Sequence, residues 1–132
     1  MAGELILIVE DNENNRMLVR DVLQSRGYQT AETDNAEEGL RLARASQPAL
    51  ILMDIQLPGM NGMDALRLLR ADAATRDIPV MAVTASAMTH DRHKIMATGF
   101  DAYQSKPINV REFVEAVRGL LAAHERPGST GA

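Results

Sequence analysis

The chain has 132 residues, a formal net charge of −4, 45% hydrophobic and 24% charged residues, and no cysteine. That size and balance fit one globular domain and exclude a second folded domain, a disordered chain and a disulfide framework. The basic residues form no dense cluster that would track a phosphate backbone, so direct nucleic-acid binding is not expected, and a bound metal would need oxygen or imidazole ligands.

Leu5-Ile-Leu-Ile-Val9 is a continuous apolar run of strand length. It lacks the alternation of a half-exposed sheet and predicts a strand buried on both faces. No basic segment precedes it, and neither this run nor Ala49 to Met53 approaches the ~18 residues of a membrane span. The expectation is a cytoplasmic protein with no membrane insertion. Leu18 and Val22, with Val19 and Leu23, recur at helical spacing and predict a first helix that ends near Gly27. Tyr28 to Thr33 is a weaker strand candidate. Asn35 with Glu38 resembles a capping box, and Ala36, Leu40 and Ala43 continue it as a second helix.

Leu50-Ile-Leu-Met53 is a second apolar run and predicts a third strand. Pro58-Gly59 marks a turn, and Gly62 is expected to allow a backbone conformation barred to other residues. Met63, Leu66 and Leu69 predict a third helix, and Pro79 to Thr84 a fourth strand. A fourth helix, carrying Met88 and Met96, ends near Gly99, and Asp101 to Ser105 is the fifth strand candidate. Asn109 with Glu112 opens the last helix, whose apolar stripe is Val110, Phe113, Val114, Val117, Leu120 and Leu121. Strict alternation with short connections implies right-handed crossovers and helices on both faces of a parallel sheet. The predicted fold is α/β, a flavodoxin-like doubly wound (βα)5 unit with a five-stranded parallel sheet in order 2-1-3-4-5.

In such sheets ligands bind beyond the carboxyl ends of the strands. The first strand is expected to end in Glu10-Asp11, the third in Asp54 and the fourth in Thr84, and the fifth is followed by Lys106-Pro107. Three carboxylates within ~5 Å repel by roughly 3 kcal/mol per pair at an effective dielectric near 20, so the cluster calls for a cation, and oxygen ligands favour magnesium. A carboxylate needs no general base to attack phosphorus, whereas Lys106 and Thr84 offer a charge and a hydroxyl to phosphoryl oxygens. Taken singly, each acid could be a helix cap or a solvated turn residue; taken together, at corresponding ends of successive strands, they suit a phosphoryl group.

At these positions the chain resembles the response-regulator receiver family, from Leu5 to about Ala123. Val9-Glu-Asp-Asn12 is similar to the family's acidic opening, and Met53-Asp-Ile-Gln-Leu-Pro-Gly-Met-Asn-Gly62 to its phosphorylation loop. Val83-Thr-Ala85 and Tyr103-Gln-Ser-Lys-Pro107 are similar to its switch strand and closing motif. The resemblance implies a receiver domain over 1–123 and a disordered tail over 124–132. It implies that Asp54 accepts a phosphoryl group from a histidine kinase or a histidine phosphotransfer protein, and that Asp11, Asp54, the Gln56 backbone carbonyl and, through water, Glu10 hold magnesium. It further implies that Lys106 neutralises the phosphoryl charge, that Thr84 and Tyr103 form a switch, and that the bond before Pro107 is cis. Phosphorylation would then reshape the surface of the fourth helix, fifth strand and fifth helix for a downstream protein target, in a monomer or weak dimer. Such a protein is no enzyme beyond its own phosphoryl transfer and dephosphorylation.

With no output domain expected after the last helix, the signal is expected to leave through this domain's own surface, the alternative being that the chain is a receiver fragment of a hybrid kinase or larger regulator. The opening and phosphorylation-loop motifs look most like stand-alone cell-division regulators of the DivK type and receivers appended to hybrid kinases. Two other readings are weaker. An aspartyl-phosphate phosphatase of the haloacid-dehalogenase kind carries a second Asp where this chain has Gln56. An FMN carrier would need a phosphate cradle where this chain has Glu10-Asp11-Asn12. His90 and His93 read as solvated helix surface, and most methionines as core filling.

Overall fold

The computed structural model describes residues 3–85 and 89–125, with side chains at 89–91 and 124–125 left aside. Met88, the side chain of His90 and the expected tail from 126 onward lie outside the described residues. Among the described residues ten elements alternate: β1 (Leu5–Val9), α1 (Glu13–Ser25), β2 (Gln29–Thr33), α2 (Ala36–Ser46), β3 (Leu50–Asp54), α3 (Gly62–Ala71), β4 (Val80–Thr84), α4 (Thr89–Thr98), β5 (Ala102–Ser105) and α5 (Val110–Glu125). All pairings are parallel and the sheet order is β2-β1-β3-β4-β5. This is the predicted flavodoxin-like topology. The last helix runs to Glu125, two residues beyond the boundary expected at 123.

The strand period of two divides the core. Leu7, Val9, Ile51, Met53, Val80 and Ala82 face one side, where Ala36, Ala43, Leu66, Leu69 and Ile95 of α2, α3 and α4 cover them. Ile6, Ile8, Leu50, Leu52, Met81 and Val83 face the other, against Val19 and Leu23 of α1 and Phe113, Val117 and Leu121 of α5. The three central strands are buried on both faces, which is why they read as unbroken apolar runs. The edge strand β2 is only half-buried, so its sequence carries Gln, Thr and Glu.

Asparagine side chains start α1, α2, α3 and α5. Asn12 accepts from Asn15 N–H at 3.0 Å, Asn35 from Glu38 N–H at 2.8 Å, Asn61 from Asp64 N–H at 2.9 Å and Asn109 from Glu112 N–H at 3.1 Å. These are N-caps. The expected reciprocal half of the box at α2 does not form, because the Glu38 carboxylate pairs with Arg41 instead. Gly27 and Gly99 follow their helices at φ +91° and +120°, where a side chain would be strained.

Two apolar residues assigned to buried stripes lie at the surface. Leu18 is 40% exposed, with Val19 and Leu23 carrying the buried face of α1, and Val110 is 37% exposed at the start of α5. Leu18 sits one position off the true stripe of Val19 and Leu23, whereas Val110 is in line with Val114 and Val117 but is the first residue of α5, where little packs over it. Met53 and Met81 fill the core, whereas Met17 and Met96 are exposed.

Candidate functional site

The parallel register brings the carboxyl ends of β1, β3, β4 and β5 to one edge. Asp54 is the last residue of β3, Thr84 the last of β4, and Glu10 and Lys106 immediately follow β1 and β5. Main-chain bonds fix both flanking residues: Glu10 N–H donates to Thr33 O at 3.0 Å and Lys106 N–H to Thr84 O at 2.8 Å. The Lys106–Pro107 peptide is cis.

Within this edge Glu10, Asp54 and Thr84 are 4%, 2% and 1% exposed, while Asp11 is exposed. Lys106 Nζ lies 2.9 Å from Glu10 Oε1 and 3.0 Å from Asp54 Oδ2, bridging the two acids. Asp54 Oδ1 accepts from Gln56 N–H at 2.8 Å, and Glu10 Oε2 accepts from Asn12 N–H at 3.1 Å. Carboxylate oxygens of Glu10, Asp11 and Asp54 lie within 4.8 Å of one another, the one such acidic group among the described residues.

One lysine between two buried acids splits their proton affinities. Burial, reinforced by the hydrogen bond to Asp54, pushes the Glu10 carboxyl up to about 7. Burial would also raise Asp54, but hydrogen bonds from Glu10, the Gln56 N–H and Lys106 outweigh it and hold Asp54 below the usual carboxylate range. Burial works against the Lys106 ammonium, yet its bonds to Glu10 and Asp54 hold its pKa above the ordinary value. Asp54 is therefore the more acidic member of the pair.

Tyr103 on β5 is half-buried against the α2–α4 side of the core, and the Arg92 guanidinium of α4 stands 5.3 Å from its ring centroid. That distance is within cation–π range. Gln56 is exposed in the loop after β3. His93 is exposed on α4, apart from the acidic edge.

Two contributors escaped the sequence reading, and a third, Gly62, was read for a different property. Arg16 donates to the Glu10 carbonyl at 2.9 Å while paired with Glu32 at 3.1 Å, bracing the start of the acidic loop. Asn61 caps α3 behind the Asp54 loop. Gly62 is needed for proximity: a Cβ there would stand 2.4 Å from the Asp54 carbonyl oxygen. Its φ is not in the left-handed region, unlike that of Gly59 at +73°, so the expected backbone freedom is not the reason for a glycine at 62. An apolar residue followed by Asn-Gly at the start of a helical pattern was the available signal for both Asn61 and Gly62.

The sequence profile described as the response regulator receiver domain matches residues 6–118. The chain belongs to the response regulator receiver family. This receiver is 48% identical to the polar-differentiation response regulator DivK of Brucella anthropi over 116 residues, spanning 88% of this chain and 94% of that protein. DivK of Brucella ovis is 47% identical over the same shares. Among solved structures, the receiver domain of the sensor histidine kinase PA1611 from Pseudomonas aeruginosa PAO1 superposes with a TM-score of 0.85 at 32% identity, covering 92% of this chain and 99% of that one. That structure has a magnesium ion coordinated in its active-site cleft. The signal receiver domain of a histidine kinase from Syntrophus aciditrophicus gives a TM-score of 0.86 at 30% identity, with 94% of each chain covered. The chain is thus the receiver domain of a DivK-like response regulator, and among the described residues no helix is long and apolar enough to cross a membrane.

Proposed function

We propose that this receiver accepts a phosphoryl group on Asp54 from a histidine kinase or histidine phosphotransfer protein and signals through its own surface. The observation that carries the reading is the pairing of a buried Asp54 with Lys106 at 3.0 Å, beside Glu10 and Asp11 at the same sheet edge. Asp54 Oδ1 is held by the Gln56 N–H, which fixes the carboxylate plane. Lys106 on Oδ2 supplies a positive charge where a phosphoryl group would add ~1.5–2 negative charges.

The donor set fits magnesium: oxygens only, three carboxylates converging within 4.8 Å, and a single lysine already drawn into them. Asp11, Asp54 and the Gln56 carbonyl would hold the ion directly and Glu10 through water. When bound, magnesium would neutralise the acids and the incoming phosphoryl oxygens. The chain's own residues do the rest: Asp54 attacks, Lys106 balances charge, Thr84 offers its hydroxyl, and the buried edge limits water access.

In this reading Thr84 and Tyr103 couple the phosphoryl group to α4, β5 and α5, and the receiver unit is 1–123. Driving such an equilibrium from 1:99 to 99:1 takes about 5.5 kcal/mol of differential interaction, so a few hydrogen bonds support incomplete switching better than an all-or-none change. Self-dephosphorylation, cytoplasmic location and a monomer or weak dimer belong to the same proposal. Incubation with magnesium and a small phosphodonor, followed by intact-mass measurement, tests it. Wild type gains a phosphoryl group and Asp54→Asn does not; equal gain in both would overturn the assignment.

A further inference from the structure

A second feature lies away from the acidic edge and shares no residue with it. Arg26, Tyr28, Val110, Arg111, Val114 and Arg118 line a groove of about 640 Å³ formed where the end of α1 and the start of β2 meet α5. That volume is in the range of binding clefts.

Its charge sets it apart. Arg16, Arg20, Arg41, Arg44, Arg67 and Arg70 all sit in ion pairs, and Arg92 lies over Tyr103. Arg26, Arg111 and Arg118 make no ion pair among the described residues, and all three are exposed in this one groove, whereas Arg76, likewise without an ion pair there, stands alone in the turn before β4. Among the described residues Glu115 is the only acid on its wall, so the groove carries a local excess of two positive charges in a chain of net charge −4. Between the arginines, Val110 is 37% exposed and Tyr28 half-buried, giving an apolar floor. Arginine and tyrosine around exposed apolar surface is the composition of interface centres.

We propose that this groove docks an extended acidic segment of a partner protein, independently of the phosphoryl site. The spacing selects the occupant. Arg111 and Arg118 are two turns apart on α5, about 10.5 Å of helical rise, farther than one phosphate spans. An extended segment advances ~3.3 Å per residue, so two carboxylates about three positions apart meet the two guanidiniums while the residues between lie on the apolar floor of Val110 and Tyr28. Three arginines are too few to track a nucleic-acid backbone.

The test uses the full chain and a series of short, labelled peptides in which the separation of two glutamates is stepped, with valine or leucine between them, read by fluorescence anisotropy. Binding should be tightest at a separation of about three. It should fall about tenfold or more for the glutamine twin and for Arg111→Ala/Arg118→Ala, weaken with salt, and persist in Arg76→Ala. Circular dichroism and phosphoryl acceptance, both unchanged in the double variant, show that fold and acidic edge are intact. Absence of binding, indifference to spacing, or an equal loss in Arg76→Ala overturns the proposal. So does binding of inorganic pyrophosphate that depends on Arg111 and Arg118 while every peptide fails, since that outcome assigns a small-anion site.

Discussion

Gly62→Ala is the sharpest probe of how the fold positions Asp54. The first residue of α3 lies directly on the strand end: its N–H donates to Ile55 O at 3.0 Å, and an added Cβ would stand 2.4 Å from Asp54 O, 2.9 Å from Ile55 Cα and 3.1 Å from Asp54 C. All three atoms are backbone, so no side chain can swing aside, and bringing the closest contact to 3.0 Å requires the two segments to part by about 0.6 Å. The carboxylate moves with its backbone, against contacts to Lys106 and the Gln56 N–H of 3.0 and 2.8 Å. Overpacking of this kind costs about 1–3 kcal/mol, and a misplacement approaching 1 Å lowers reactivity by up to ~100-fold. Urea unfolding should show the stability loss, and the initial rate of phosphoryl incorporation from a small phosphodonor should fall about tenfold or more. Gly119→Ala is the control: nothing lies within 4 Å of its added Cβ, and it should be neutral or stabilising by ~0.5–1 kcal/mol. A Gly62→Ala protein within about 0.5 kcal/mol and twofold of wild type would refute the close-approach argument.

Lys106→Ala should fold yet incorporate phosphate about tenfold more slowly or worse, because Glu10 and Asp54 then face each other without a cation; unchanged incorporation and unchanged partner response would remove its role. Arg70 donates to Ile78 O at 2.7 Å, Arg76 O at 2.9 Å and Asp101 Oδ2 at 2.8 Å, tying the segment before β4 to the one before β5. Arg70→Ala should cost about 2 kcal/mol in urea unfolding, discounted for its partial exposure, with faster amide exchange in residues 72–78; no change would show the network to be redundant. For magnesium-free protein, Glu10 holds its proton up to about 7 in the fold against 4.5 unperturbed. The stabilisation that this proton brings is complete below pH 4.5 and is lost as pH rises through about 7. Thermal unfolding should therefore show a decline across that window that Glu10→Gln flattens; an unaltered profile in that variant would assign the titration elsewhere.

The legible parts of the fold are those where burial is symmetric. β1, β3 and β4 lie between two helical layers, so every residue must be apolar and the runs declare themselves. β2 and β5 are edge strands whose partial exposure blurs the pattern, and their placement relied on alternation with their neighbours. Leu18 and Val110 were misplaced because a helical stripe gives its centre more reliably than its margins, and tertiary packing decides which flank stays open. The acidic edge was legible because topology alone carries strand ends together. Arg16 and Asn61 were not, since bracing a backbone carbonyl or capping a helix is chemistry that many surface residues could perform. Gly62 was noticed for the wrong property: a sequence shows that a side chain is missing, and only packing shows what would have occupied its place.

The division of the interior by the sheet bears on how such a receiver can diversify. Side chains from α1 and α5 meet one set of strand residues, and those from α2, α3 and α4 meet the alternate set, so the two interiors share only the strand backbones. A volume change on one side reaches the other only by bending the sheet. Lineages can therefore retailor the α1–α5 surface, including its arginine groove, without compensating substitutions beneath α4. Asp54, at the end of the strand at the centre of the sheet, stands on the one component that both interiors must leave alone.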